Sequence, residues 1–121
     1  MKIFITGAEG FIGKNIKEHL LKKKYNIIYP TFNELDLRNS KKVEEFFFKN
    51  SDINCVINCA TTEQIHKKYD PSVIEYNLKI FFNLIKYKNK FTKLINLGSG
   101  SEYSRLNWKK KMRESYFGSF I

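Results

Sequence analysis

Three glycines, Gly7, Gly10 and Gly13, stand three residues apart directly after the apolar run Ile3-Phe4-Ile5. A buried strand that breaks into glycines and then enters a helix can bring its backbone up to a pyrophosphate. The helix N–H groups and the positive end of the dipole there meet negative charge. Gly7 suits the tight turn, Gly10 has no side chain to hold phosphates off, and Gly13 lets the helix lie close on the strand. The N–H groups of Phe11 and Ile12 stand at the helix start. The spacing is G-x-x-G-x-x-G rather than G-x-G-x-x-G, a looser form of the dinucleotide pattern. Three glycines near an N-terminus also suit an ordinary turn, and the flanks decide between the two. An apolar strand precedes them, and Ile12, Ile16 and Leu20 follow four apart on one helical face. A dinucleotide cofactor is the expectation.

Such a loop works only if a sheet holds it, and the chain alternates strand-like and helix-like segments. Residues 2–6 read as a strand, 11–23 as a helix and 26–30 as a strand stopped by Pro30. Ser40 can cap a helix with Val43, Phe46 and Phe47 on its inner face. Residues 53–59 form a nearly all-apolar strand, the pattern of a parallel strand covered on both faces. Asp70-Pro71 is an N-cap followed by proline at the first helical position. Val73, Asn77, Ile80, Phe81, Leu84 and Ile85 then keep a helical period, and residues 92–97 give a fourth strand. This alternation predicts an α/β fold, a Rossmann-type parallel sheet with helices on both faces. The order 3-2-1-4 would put a cofactor beyond the C-terminal ends of strands 1 and 4.

Composition bounds the rest. The chain has 121 residues, 42% hydrophobic, with eleven Phe and seven Tyr, enough for one domain with a modest core. No apolar run approaches a membrane span and no signal-peptide pattern opens the chain, so a cytoplasmic location and no membrane partner are expected. The net charge of +10 invites a nucleic-acid reading. The lysines are scattered, however: Lys22 to Lys24 end a helix, Lys67 and Lys68 fall in a loop, and Lys109 to Lys111 lie near the C-terminus. A solvated lysine-rich surface is the better reading, with no nucleic-acid partner. A positive field would still help attract an anionic cofactor.

Cys55 and Cys59 are the only cysteines. On one strand they would share a face roughly 13 Å apart, too far for a disulfide. His19 and His66 have no ligand-like spacing to them, so buried thiols and no metal site are expected.

In a sheet of this kind, functional residues gather just after each strand. After the second strand, Asn33-Glu34-Leu35-Asp36-Leu37 offers an acid where an adenine could lie. After the third comes Asn58-Cys59-Ala60, and after the fourth Gly98-Ser99-Gly100-Ser101-Glu102-Tyr103. With these segments the sequence resembles the extended short-chain dehydrogenase/reductase family, the NAD(P)-dependent sugar-nucleotide epimerases, dehydratases and reductases. Thr6–Gly13 is similar to the family's T-G-x-x-G-x-x-G, and Asp36-Leu37 to its adenine-contacting D-L pair. Asn58-Cys59-Ala60 is similar to its N-x-A segment near the cofactor, and Asp70-Pro71 with Asn77 to its P-x-x-x-x-x-N. Within the family the chain looks most like GDP-fucose-synthase-like and dTDP-4-dehydrorhamnose-reductase-like members. Leu97 to Tyr103 aligns with the reductase's L-G-S-S-C-I-Y without a gap. The resemblance covers residues 1 to about 103.

The resemblance implies hydride transfer between a nicotinamide and a sugar carbon. A tyrosinate serves as acid/base there, and a serine bonds the same oxygen. Ser99 takes the place of that catalytic serine. Ser101 stands where the fucose synthases have a cysteine that assists epimerisation, so their epimerase step does not carry over. The family's lysine, four residues after its tyrosine, lowers the tyrosine's pKa. That Y-x-x-x-K pair is missing: the residues four beyond Tyr25, Tyr29, Tyr69, Tyr76, Tyr87, Tyr103 and Tyr116 are Tyr29, Asn33, Val73, Ile80, Phe91, Asn107 and Phe120. Tyr103 reads as a structural aromatic of its loop. Glu63 and His66 read as a solvated loop, and Trp108 as a packing residue.

The expected division is residues 1–98 as an NAD(P)-binding Rossmann half and 99–121 as an active-site loop with a truncated C-terminal segment. An N-terminal fragment, inactive alone, is the simplest reading, with a nucleotide-sugar substrate and compatibility with a homodimer belonging to the full-length enzyme. The cofactor is NAD or NADP. The end of the second strand, Tyr29 to Asn33, carries neither the acid of an NAD site nor the base of an NADP site. The absence of a repelling acid and the overall positive charge tilt the choice toward NADP, with Arg38 as a distant phosphate candidate. The rival readings are a non-catalytic dinucleotide-binding or regulatory module and a basic nucleic-acid-binding domain.

Overall fold

In the computed structural model the structure describes residues 1–62 and 70–98. Four parallel strands alternate with three helices: β1 (Lys2–Thr6), α1 (Phe11–Lys22), β2 (Asn26–Ile28), α2 (Ser40–Lys49), β3 (Ile53–Asn58), α3 (Ser72–Ile85) and β4 (Lys93–Asn96). A single 3-10 turn, Lys88–Lys90, leads into β4.

The side chains of β1 alternate between two cores, as the two-residue period of a strand requires. Ile3 and Ile5 join Cys55 and Ile57 of β3 under Ile16 and Leu20 of α1. Phe4 and Val56 face the other way, under Val43 and Phe47 of α2 and Ile80 and Leu84 of α3. Phe4, Phe47, Val43, Val56 and Leu84 are wholly excluded from solvent. Fully burying such side chains contributes roughly 1.5–3 kcal/mol each. Helices on both faces of a parallel sheet follow from that alternation.

The strand order is β2-β1-β3-β4, which corrects the expected 3-2-1-4. The third strand pairs with β1 along Lys2↔Ile53, Ile3↔Cys55 and on to Thr6↔Asn58, and does not extend the sheet beyond β2. The reason lies in the crossover. Residues 29–39 form turns and no strand, so nothing lengthens the sheet on that side. Helix α2 then carries the chain back over β1 to its free edge. From β1 the connections therefore leave in opposite directions, to β2 on one side and β3 on the other. The crevice that such a reversal opens lies between the C-terminal ends of β1 and β3, one strand nearer than expected.

Local boundaries shift for identifiable reasons. Strand β2 ends at Ile28, before Tyr29 and Pro30. Asn39, not Ser40, caps α2, its side chain accepting from the Lys42 N–H. Ahead of α3, Asp70 Oδ1 accepts from the Ser72 N–H at 2.9 Å, but the N-cap position falls on Pro71 and regular helix begins at Ser72. Ile12 does not share the buried face of Ile16 and Leu20. It is 53% exposed, while Ile16 and Leu20 pack on the core of Ile3 and Ile5.

Candidate dinucleotide site

The glycine loop is shaped by contacts that explain two of its three glycines without any ligand. Gly7 has φ +62°, and a Cβ there would lie 2.7 Å from the Ala60 nitrogen. A Cβ on Gly13 would collide with the carbonyl of Gly7. Gly10 differs. A Cβ on it would meet only the Gly7 oxygen, at 3.4 Å, and its φ of −75° suits any residue. The fold itself has little need of a glycine at position 10. Gly10 is the N-cap of α1 and offers no side-chain cap. The first N–H groups of the helix are left for another acceptor.

Two clefts open at the C-terminal edge of the sheet. The larger, about 590 Å³, runs from Gly7, Glu9 and Gly10 past Phe32 to Asp36, Leu37 and Arg38. The second, about 440 Å³, is lined by Ile12, Asn58, Asn77, Asn96 and Leu97, among others. Cys59, Ala60 and Thr61 form the wall common to both. One extended ligand could therefore lie across the end of β3, as a dinucleotide would.

A chain of hydrogen bonds holds that edge. The Thr6 hydroxyl donates to Asn58 Oδ1 at 2.6 Å. It also accepts from the N–H groups of Cys59 and Ala60, at 3.2 and 3.1 Å. Asn58 Nδ2 donates to Asn96 Oδ1 at 2.7 Å. These three side chains end β1, β3 and β4 in register, so one polar ladder ties the three strand ends together. Asn77 of α3 fixes the next segment: its Oδ1 accepts from the Thr62 N–H at 2.7 Å, and its Nδ2 donates to the Thr62 carbonyl at 3.3 Å.

The wall opposite the glycine loop is equally tied down. Thr31 and Glu34 form a reciprocal cap, the Glu34 carboxylate accepting from the Thr31 N–H and hydroxyl. Those bonds hold the Glu34 carboxyl below its usual range. Asp36 receives both Nε and Nη2 of Arg38 at 2.9 Å. That paired guanidinium depresses the Asp36 carboxyl, and Asp36 in turn raises Arg38. The guanidinium also lies 5.0 Å from the Phe32 ring and 4.9 Å from the Tyr76 ring. Asn83 of α3 donates to the Leu37 carbonyl at 2.8 Å. Burial pushes the Cys55 and Cys59 thiols up, so both stay protonated at neutral pH.

The structure thus brings Gly7, Gly10, Asp36, Leu37, Cys59 and Ala60 to the first cleft and Ile12, Asn58 and Asn77 to the second. Gly13 and Phe11 line neither: Gly13 packs the helix on the loop, and Phe11 is 86% exposed. Ser99, Tyr103, Glu63, His66, Trp108 and the segment 99–121 lie outside the described residues. The sequence reading gave no role of their own to Thr6, Glu9, Thr62 and Asn96. A polar residue closing an otherwise apolar strand, as Thr6, Asn58 and Asn96 do, is the signal that could have found the ladder. Among the described residues no group of three or more His, Cys, Asp or Glu side chains could hold a metal. No helix there is long and apolar enough to cross a membrane.

Known proteins are similar to this chain in sequence and in fold. A GDP-L-colitose synthase of Yersinia pseudotuberculosis is 36% identical over 110 residues, covering 87% of this chain and 35% of that protein. A GDP-L-fucose synthase of Azorhizobium caulinodans is 29% identical, covering 84% and 34%. The solved GDP-mannoheptose C4 reductase of Campylobacter jejuni, with NADP bound, superposes with a TM-score of 0.82. It is 32% identical, over 95% of this chain and 38% of that one. The chain thus spans about a third of the length of these relatives. The sequence pattern of the NAD dependent epimerase/dehydratase family matches residues 3–117, and the chain belongs to that family.

Proposed function

We propose that residues 1–98 are the NAD(P)-holding half of a nucleotide-sugar epimerase, dehydratase or reductase, and that residues 99–121 form its active-site loop and a C-terminal segment. The observation that carries this is the pair of clefts on either side of Cys59-Ala60-Thr61, with an uncapped helix at the first and a glycine at position 10 that the fold itself hardly requires. The pyrophosphate would lie against Gly7, Gly10 and the N–H groups of Phe11 and Ile12, which is the chemistry an uncapped helix start offers. The adenosine would lie toward Asp36 and Leu37 and the nicotinamide toward Ile12, Asn58 and Asn77. The bound nicotinamide would supply or accept hydride. Asn58 and Asn77 act through the backbone they fix, since their amides already bond Thr6, Asn96 and Thr62. Gly13 serves the fold of the loop.

The relatives named for GDP-sugar products support a nucleotide sugar as the substrate of the whole enzyme. Ser99 is the candidate for the hydroxyl that bonds the reacting sugar oxygen. The 121 residues contain no Y-x-x-x-K pair, so the chain alone should bind a dinucleotide without turning over a sugar. A fluorescence titration of NADH and NADPH tests the first half, and an assay with GDP-4-keto sugars tests the second. Saturable binding without turnover is expected. Absence of binding, or turnover lost on Ser99→Ala, would sink the reading.

A further inference from the structure

The acid that usually selects NAD stands at the end of the second strand, where it holds the ribose 2′-hydroxyl and repels a 2′-phosphate. Here the residues after β2 carry no acid until Glu34, which the reciprocal bonds with Thr31 already engage. The structure nevertheless brings a carboxylate to the segment that follows β2. It comes from the glycine loop: Glu9 Oε2 accepts from the N–H of Phe32, four residues beyond Ile28, at 3.0 Å. Glu9 and Phe32 line the same cleft as Gly7 and Gly10.

The charges of that cleft agree. Among its described lining residues only Glu9, Asp36 and Arg38 are charged. Asp36 and Arg38 neutralise each other through two bonds of 2.9 Å. Arg38 also lies between the Phe32 and Tyr76 rings, so it is not a free cation waiting for a phosphate. Lys17 lies nearby over the Tyr29 ring, at 5.2 Å, without lining the cleft. The lining therefore carries one net negative charge, on Glu9, in a protein of net charge +10. Only one oxygen of Glu9 is engaged by Phe32, and the other remains for a hydroxyl donor.

We infer that Glu9 is the specificity residue of this site: reaching the segment after β2 from the glycine loop, it selects NAD(H) over NADP(H). The inference rests on the dinucleotide reading above and reverses the tilt toward NADP that the bare β2 end suggests. A 2′-phosphate brought beside an exposed carboxylate meets like-charge repulsion, while a 2′-hydroxyl gains a charge-assisted bond.

The test is competitive binding of NADH and NADPH to the 121-residue protein and to Glu9→Gln, at low ionic strength where charge is least screened. Glutamine keeps an acceptor for the Phe32 N–H and removes only the charge. The parent should bind NADH about tenfold or more tightly than NADPH, and Glu9→Gln should close most of that gap by gaining NADPH affinity. Equal or tighter NADPH binding by the parent overturns the inference whether or not the variant folds, and so does a ratio that Glu9→Gln leaves unmoved. Failure to bind either dinucleotide instead overturns the site reading, and the inference falls with it.

Discussion

The hydroxyl of Thr6 and the amide of Asn58 meet across the ends of β1 and β3 at 2.6 Å, both side chains buried. Through the same oxygen Thr6 holds the N–H groups of Cys59 and Ala60, the wall between the two clefts. One hydroxyl thus joins strand pairing to the shape of the site. Thr6→Val keeps the volume and leaves three partners unsatisfied. It should lower unfolding stability by about 1–3 kcal/mol and weaken dinucleotide binding, while Thr6→Ser restores most of both. Denaturant unfolding with binding measured on the same samples checks this; a Thr6→Val protein as stable as the parent would refute it.

Gly7 and Gly10 should respond differently to alanine. At φ +62° with Ala60 pressed against it, Gly7→Ala should cost at least about 1–3 kcal/mol. Gly10→Ala, with only a 3.4 Å contact to absorb, should unfold within about 0.5 kcal/mol of the parent. Urea midpoints of the two variants make the comparison, and equal losses would contradict the geometry.

The sequence made the strands, the helices and the glycine loop legible because each rests on local pattern: apolar alternation, helical period, and glycine between the two. Strand order was not legible. It depends on which side of β1 the chain returns to after residues 29–39, which only turn, and the third strand pairs with β1 rather than extending the sheet beyond β2. The D-L pair and Asn77 were found by resemblance, but their work was not. Asp36 is engaged by a residue two positions on, and Asn77 by a loop fifteen residues back. Glu9 was passed over because its partner, Phe32, lies twenty-three residues away across the cleft. Contacts at such separations leave no periodic trace.

Asp36 should mark the acid limb of stability. Arg38 holds its carboxyl below the ordinary 3.8, so the folded-state value is depressed. The pair's contribution is complete above the unfolded-state value and is lost as pH falls through the folded one. Both side chains are about a third exposed, so the effect is modest. Asp36→Asn should flatten the fall in stability below about pH 4. An unchanged acid limb, read from urea midpoints across pH 2 to 6, would remove the pair from the account.

Tyr87 stacks on Phe47 with ring centroids 5.1 Å apart, and its buried hydroxyl finds no partner among the described residues. Tyr87→Phe keeps the stack and removes the unpaired group. It should be neutral or stabilising by up to about 1 kcal/mol. A loss of more than that on thermal unfolding would mean that the hydroxyl is bonded.

The central claim is that the glycine loop receives a dinucleotide pyrophosphate at Gly10. Its most direct test is calorimetric titration of NADH and NADPH into the parent protein and into Gly10→Val, with circular dichroism to verify that both are folded. Gly10 has φ −75° and a Cβ there would make only a 3.4 Å contact with the Gly7 oxygen, so valine should leave the fold intact while filling the phosphate position. The account predicts saturable binding to the parent and none to Gly10→Val at the same concentrations. The same affinity for both proteins would contradict it.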